Sequence, residues 1–237
     1  MSETGTERLA LVVRGGWEGH QPVETTELFL PFLRAQGFEV VAHDSSAVYE
    51  DTELLAGADL IVQCMSMGEI SREAVQGLRA AVAAGSGLAG WHGGIVDAYP
   101  SNEYLQLVGG RFVAHPSDPG PDGPTPQRRH RIVMTERGRA HPITTGIDDF
   151  ELVTEQYWVL HDDLSDLLAT TTHPARADDP WHRPVVSPAV WTRRWGRGRI
   201  FVATPGHDVA TLQNPSVRTI VERGMLWAAR DSESEGE

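Results

Sequence analysis

From Leu9 to Trp91 the apolar positions follow two alternating rhythms. Leu9–Val13, Phe38–Ala42, Leu60–Val62 and Leu88–Trp91 are short continuous apolar runs, the pattern of strands buried on both faces. Between them, apolar residues recur at helical spacing. Val23, Leu28, Phe29, Phe32 and Leu33 follow Pro22 and stop at Gly37. Leu54, Leu55 and Ala58 mark a short helix. Val75, Leu78, Ala81 and Val82 line a helix from a Ser71 cap to Ala84. Strand and helix alternate four times, which predicts an α/β fold with a doubly wound, mainly parallel sheet and helices on both faces.

The second half is less regular. Tyr99–Val108 reads as a helix and Phe112–Ala114 as a short strand. Ser117–Pro126 holds four prolines and two glycines and reads as a surface loop, either a lid or a plain insertion, with insertion slightly favoured because such loops tolerate length. Arg131–Thr135 is strand-like, His141–Gly146 a turn and Asp149–Val159 an extended, partly alternating stretch. Leu167–Thr172 is another strand. Val185–Trp191 and Arg199–Ala203 bracket Gly196-Arg197-Gly198 as a hairpin. A last helix, Pro215–Arg230, packs through Val217, Ile220, Val221, Met225 and Trp227. No repeat or linker divides the chain, so one domain is expected over 8–230, with flexible tails at 1–7 and 231–237.

Composition narrows the function classes. The chain has 237 residues, 40% hydrophobic and 22% charged, with a net charge of −13 and a pI near 5.2. That balance argues against non-specific nucleic-acid or anionic-membrane binding. No apolar run reaches the ~20 residues of a membrane span, and the polar start is no signal peptide, so a cytoplasmic protein is expected. The single cysteine, Cys64, excludes an intrachain disulfide and reads as a small buried filler. Arg193, Arg194, Arg197 and Arg199 read as a solvated turn. Arg14-Gly-Gly-Trp-Glu-Gly19 is a poor dinucleotide fingerprint. A homodimer is expected on frequency alone.

The chemistry gathers at strand ends. Arg14, Gln63, Trp91 and Ala203 end strands on one edge of the expected sheet, where α/β proteins bind ligands. The loops that follow contain glycines, and three of them contain His20, His92 and His207. His92 sits in Gly90-Trp91-His92-Gly93-Gly94, the shape of a strained strand-to-helix elbow, with Gly93 and Gly94 opening the backbone to a substrate. Histidine suits both proton transfer and metal ligation. Glu155 can serve as base or orient a histidine, and Tyr157 can position a hydroxyl. His115, beside Pro116, can close the site. Trp17 and Trp91 flank it and can stack on sugars, although tryptophans also fill cores and the core reading is slightly favoured for Trp91. His20, His92, His207 and Glu155 are also suitable donors for a divalent metal, without a local His-Glu-x-x-His spacing. His43, His130, His141, His161, His173 and His182 read as surface or turn residues.

These motifs, with Tyr104–Gly110, Phe112, His115-Pro116, His141-Pro-Ile-Thr-Thr-Gly-Ile147, Glu155-x-Tyr157 and Thr204-Pro-Gly-His207, resemble the ThuA-like (trehalose-utilisation) family. The resemblance spans about residues 8 to 230. It implies a flavodoxin-like core of the class I glutamine amidotransferase type. It also implies a link to trehalose and related disaccharides, by way of keto-sugar intermediates. An amidotransferase carries a cysteine where this chain has His92, so cysteine-dependent glutaminase chemistry is not expected. The expected function is acid–base chemistry on a small-molecule carbohydrate, a sugar or keto-sugar derivative. His92, His207, Glu155 and His20 would be catalytic. No cofactor is established, and a metal-assisted form uses the same four residues. The alternative is a non-catalytic sugar-binding or regulatory module.

Overall fold

The alternation read from Leu9 to Trp91 builds one half of a nine-stranded sheet in the computed structural model, which describes residues 8–120, 123–177 and 179–231. The tails expected at 1–7 and 231–237 lie outside the described residues, Asp231 excepted. Strand β1 (Arg8–Gly16) is followed by α1 (Pro22–Glu27), α2 (Leu30–Ala35), β2 (Phe38–His43), α3 (Thr52–Gly57), β3 (Ala58–Ser66), α4 (Arg72–Ala84) and β4 (Gly87–Trp91). Next come α5 (Gly93–Val96), α6 (Asn102–Val108), β5 (Gly110–Ala114), β6 (Asp118–Gly120), β7 (Gly123–Thr125), β8 (Gln127–Met134) and α7 (Glu136–Ala140). The chain continues through β9 (Phe150–Glu155), β10 (Trp158–His161), β11 (Asp166–His173), β12 (Val185–Trp195), β13 (Gly198–Ala203), α8 (Val209–Leu212) and α9 (Pro215–Ala228).

The sheet order is β2-β1-β3-β4-β13-β12-β11-β8-β9. From β2 to β13 every pairing is parallel, with Val12 opposite Ala42 and Val62, and Val202 opposite Gly90. This is the flavodoxin-like strand order. Beyond β13 the sheet continues as four antiparallel pairings. The switch falls at the expected hairpin, where Trp195 pairs with Gly198 across Gly196-Arg197 and Gly196 takes φ 59°.

Strand residues alternate between two cores. Val12, Val62, Ala89, Trp91 and Phe201 face α1, α2 and α9. Leu11, Ile61, Leu88, Ile200 and Val202 face α3, α4 and α6. Helices therefore cover both faces, as the pattern predicts. Local signals also hold. The Ser71 hydroxyl accepts from the Ala74 N–H at 3.0 Å and caps α4.

Four expectations change. The helix after Pro22 is two helices, because Pro31 at the start of α2 cannot continue the hydrogen bonding of α1. Ser117–Pro126 contains the antiparallel pair β6–β7 rather than plain loop. Asp149–Val159 splits at Gln156-Tyr157, sending β9 to the large sheet and β10 to a separate pairing with β5. His130 and His173 are buried, not superficial. No described helix is long and apolar enough to cross a membrane.

Arg193 is a further correction. Its side chain is 0% exposed, while its partner Asp162 is 44% exposed. Its Nη1 donates to both Asp162 oxygens at 3.1 Å, in space left by Gly109. Removing the carboxylate strands a buried charge, whereas removing both leaves apolar packing. Asp162→Ala should therefore lower the unfolding free energy by about 2 kcal/mol, a buried-pair value discounted for the solvent around Asp162. Arg193→Met added to it should restore most of that loss in urea denaturation. A double variant no more stable than the single would refute the buried-charge explanation.

Candidate active site

Strand β4 is wholly buried and ends at Trp91; the next residue turns the chain. His92 has φ 49° and ψ −144°, a combination that side-chain-bearing residues rarely adopt. Its N–H donates to the Ala203 carbonyl at 2.7 Å, and its carbonyl accepts from the Val96 N–H at 2.9 Å. The elbow expected from the sequence is present. Gly93 and Gly94, expected to contact substrate, are buried and make packing room instead. A Cβ on Gly93 would lie 2.3 Å from the His20 ring, and one on Gly94 would lie 2.8 Å from the Cys64 Cα. The glycines thus let His20 and β3 close against the elbow.

The four residues nominated for chemistry converge. His92 Nε2 is 3.1 Å from Glu155 Oε2 and 3.3 Å from His207 Nδ1. His207 Nδ1 is 3.3 Å from the same carboxylate oxygen. The His20 ring centroid is 4.7 Å from that of His92 and 5.2 Å from that of His207. His20 comes from the loop after β1, His92 from the exit of β4, and His207 from the exit of β13. Glu155 ends β9 on the far, antiparallel half. The site therefore needs both halves of the sheet.

Hydrogen bonds assign the nitrogens. His92 Nδ1 lies 2.8 Å from the Thr204 carbonyl, which can only accept, so that nitrogen carries a proton. In neutral His92 the Nε2 lone pair then faces Glu155 and His207. His20 Nδ1 is tied to the Ser66 hydroxyl at 2.7 Å. Burial lowers the His92 pKa by more than Glu155 and Thr204 raise it. Burial, then the neighbouring histidines, push His20 down to about 3. Burial is the largest single influence on His207 and lowers it, but the hydrogen bond and charge of Glu155, with Asp208, together outweigh burial and raise the pKa. The Glu155 carboxyl is lifted by burial yet held below the usual carboxylate range by His207 and His92. These directions favour the imidazolium at His207, the carboxylate at Glu155 and neutral imidazoles at His20 and His92. Only the His207 proton lies between the lone pairs of His92 Nε2 and Glu155 Oε2.

One ligand atom from each of these four residues lies within 4.8 Å of all the others. Three nitrogens and one oxygen suit zinc and similar divalent ions. The ties from His92 to a carbonyl and from His20 to a hydroxyl are the outer contacts that metal-binding histidines commonly make. The residues present fit a metal.

The remaining nominees divide. Tyr157 is buried and stacks on His92, with ring centroids 4.2 Å apart. Burial, then Glu155 and Asp97, push its pKa well up, so its hydroxyl remains a donor. His115 stands behind it, 6.5 Å away between ring centroids, with an enclosed Nδ1 that has no hydrogen-bond partner among the described residues. Trp17 is half exposed and lies edge-on to His20 at 4.7 Å, at the rim. Trp91 is 1% exposed and packs against Phe29 in the core, so it offers no surface to a sugar. Cys64 is the expected filler, its buried thiol pushed up to about 12. The sequence reading missed Ser66, whose signal was its place at the same strand edge. It also missed the Thr204 carbonyl, a backbone contact with no residue-type signal.

The fold and site define a flavodoxin-like α/β protein with a histidine–carboxylate centre at the carboxyl edge of its sheet. The family model for ThuA, described as trehalose utilisation, matches residues 9–228, and the chain belongs to that family. A ThuA-like protein from Bacteroides uniformis is 15% identical, with a TM-score of 0.70 over 96% of this chain and 94% of that one. A second, from Parabacteroides merdae, is 17% identical, with a TM-score of 0.68 over 94% and 90%. A cytoplasmic protein from Salmonella typhimurium LT2 is 15% identical, with a TM-score of 0.61 over 94% and 100%. At these identities the likeness is one of fold. No curated protein matches the sequence.

The charge assignment is testable in ion-free protein. His207 has its pKa raised above 6.5, so its contribution to stability is present below that value and is lost as pH rises through the folded value. Glu155 is depressed below 4.5, so its contribution is present above that value and is lost as pH falls. The stability gap between wild type and Glu155→Gln should be widest between 4.5 and 6.5. Imidazole NMR should show His207 titrating above the ordinary histidine value and His20 still neutral at about pH 5. Titration of His20 near the ordinary histidine value would contradict this charge pattern.

Proposed function

We propose that this ThuA-family protein is an enzyme acting on a sugar or keto-sugar derivative in disaccharide utilisation, with His20, His92, Glu155 and His207 as its reaction centre. The convergence of these four buried side chains from four separate elements carries the reading. A divalent ion held there would polarise a sugar carbonyl or acidify a hydroxyl. Thr204 and Ser66 fix the rings of His92 and His20, and the Tyr157 hydroxyl positions the substrate. The family's link to trehalose and the apolar-and-polar character of the site both support a carbohydrate. We place the protein in the cytoplasm, in keeping with the Salmonella relative described as a cytoplasmic protein.

A second reading uses the same residues without an ion. Burial lowers the pKa of His92 while Glu155 raises that of His207, and the two nitrogens are 3.3 Å apart. Neighbouring groups with opposed shifts are suited to act as base and acid. His92 Nε2 would then accept a proton from a carbon beside a keto group, and His207 would donate one to the developing oxyanion.

Both readings require His92. Against a panel of disaccharides and keto-sugars, His92→Ala should lose at least about a hundredfold in turnover while its circular dichroism stays native. Unchanged turnover in the variant would overturn the assignment. Binding without turnover across the panel in wild type would instead assign a sugar-binding module.

A further inference from the structure

A cavity of 510 Å³ opens at the same sheet edge, beside the four-residue centre. That size falls within the range of small-molecule sites. Its walls include Glu69 from the loop after β3, Asp97 from the exit of α5, Tyr99, Asn102 on α6, and Arg111 and Phe112 on β5. Phe112 joins it to the centre. The Phe112 ring is 4.4 Å from Tyr157, which stacks 4.2 Å from His92. Two packed rings, Phe112 and Tyr157, thus stand between the cavity and the His92 imidazole, so a ligand that reaches both must pass along them.

Within the protein the Asp97 carboxylate is met only by the longer-range attraction of Arg111 and His115. The residue is partly buried, and its side chain has no hydrogen-bond or ion-pair partner among the described residues. Its backbone carbonyl is held in place by the Met67 N–H at 2.9 Å. Met67 sustains a left-handed φ of 52° at the cavity lip, strain of the kind that gathers at binding sites. A partly desolvated carboxylate without a hydrogen-bond donor is costly, and a ligand hydroxyl would satisfy it. The enclosed His115 Nδ1 has no hydrogen-bond partner among the described residues, and His115 packs 5.6 Å from Phe112.

The chemistry of the walls selects a ligand. Glu69 and Asp97 against Arg111 leave the cavity with one net negative charge, which disfavours sugar phosphates and sugar acids. A carboxylate accepts from neighbouring hydroxyls, Arg111 and Asn102 can donate, and Phe112 and Tyr99 offer apolar ring surface for a sugar's C–H face. We propose that the cavity is a second-ring subsite: it binds the uncharged sugar ring joined to the reacting ring of a disaccharide, with Asp97 holding its hydroxyls. This rests on the reading of the four-residue cluster as the reaction centre.

Titration calorimetry of the purified protein with trehalose, sucrose, maltose, glucose and glucose 6-phosphate tests it. At least one disaccharide should bind wild type more tightly than glucose, and the phosphate ester should bind weakest. Asp97→Ala should weaken that disaccharide by about tenfold or more, the loss expected for a charge-assisted hydrogen bond, and leave glucose unchanged. Asp97→Asn keeps the side-chain shape, guards against misfolding, and should show a smaller loss of the same kind. Wild-type disaccharide affinity in both variants would overturn the subsite, as would a panel in which no disaccharide outbinds glucose. Metal content and single-ring keto-sugar turnover of the same preparations read the centre separately. Their persistence would leave the centre standing while the subsite falls.

Discussion

The backbone conformation of His92 is the constraint on which the site depends. At φ 49° the chain leaves β4 in a direction that regular strand or helix geometry does not allow. That turn sets the imidazole beyond the sheet edge, where the Thr204 carbonyl fixes its proton and Glu155 and His207 reach its other nitrogen. The strain is held by the surroundings. β4 is paired in parallel on both sides, the His92 N–H is tied to β13, and α5 packs on β3 through Gly94. The elbow presents an imidazole, and the cysteine at the neighbouring strand end is an inert buried thiol.

Burial then decides what the elbow can do. Three imidazoles and a carboxylate removed from bulk water cannot all carry charge, so His20 and His92 stay neutral while His207 and Glu155 pair. Nearby lone pairs with one proton among them form an electron-rich pocket. Such a pocket stores affinity for a cation or for the proton of a substrate. The cost is met by the two apolar cores that clamp the sheet from either face. Glu155 arrives from the antiparallel extension, so the added half of the sheet converts a ligand-binding edge into a closed centre.

The parallel half was legible because each buried strand is a continuous apolar run and each helix has a cap or a glycine stop. Three histidines could be placed on one edge from strand order alone, since every strand exit in a parallel run faces the same way. Glu155 and Tyr157 were legible as an acidic–aromatic pair, although the break between β9 and β10 was not. Alternation persists across that break, and only tertiary pairing separates the two strands. Trp91 reads as core slightly before sugar platform, and the pleat sends it to the Phe29 side. Arg193 looked solvated because its neighbours in the hairpin are; its register against β13 turns it inward to Asp162. Asp97 carried no signal, because its place at the cavity comes from the short helix after the elbow.

The most direct measurement of the central claim is elemental analysis of gently purified protein and of four single variants, His20→Ala, His92→Ala, Glu155→Ala and His207→Ala. A single metal centre predicts about one divalent ion per wild-type chain and a marked loss in each variant, with folding retained. Stoichiometric metal that survives all four substitutions, or wild-type protein that takes up none when supplied with zinc, manganese or nickel, would contradict it.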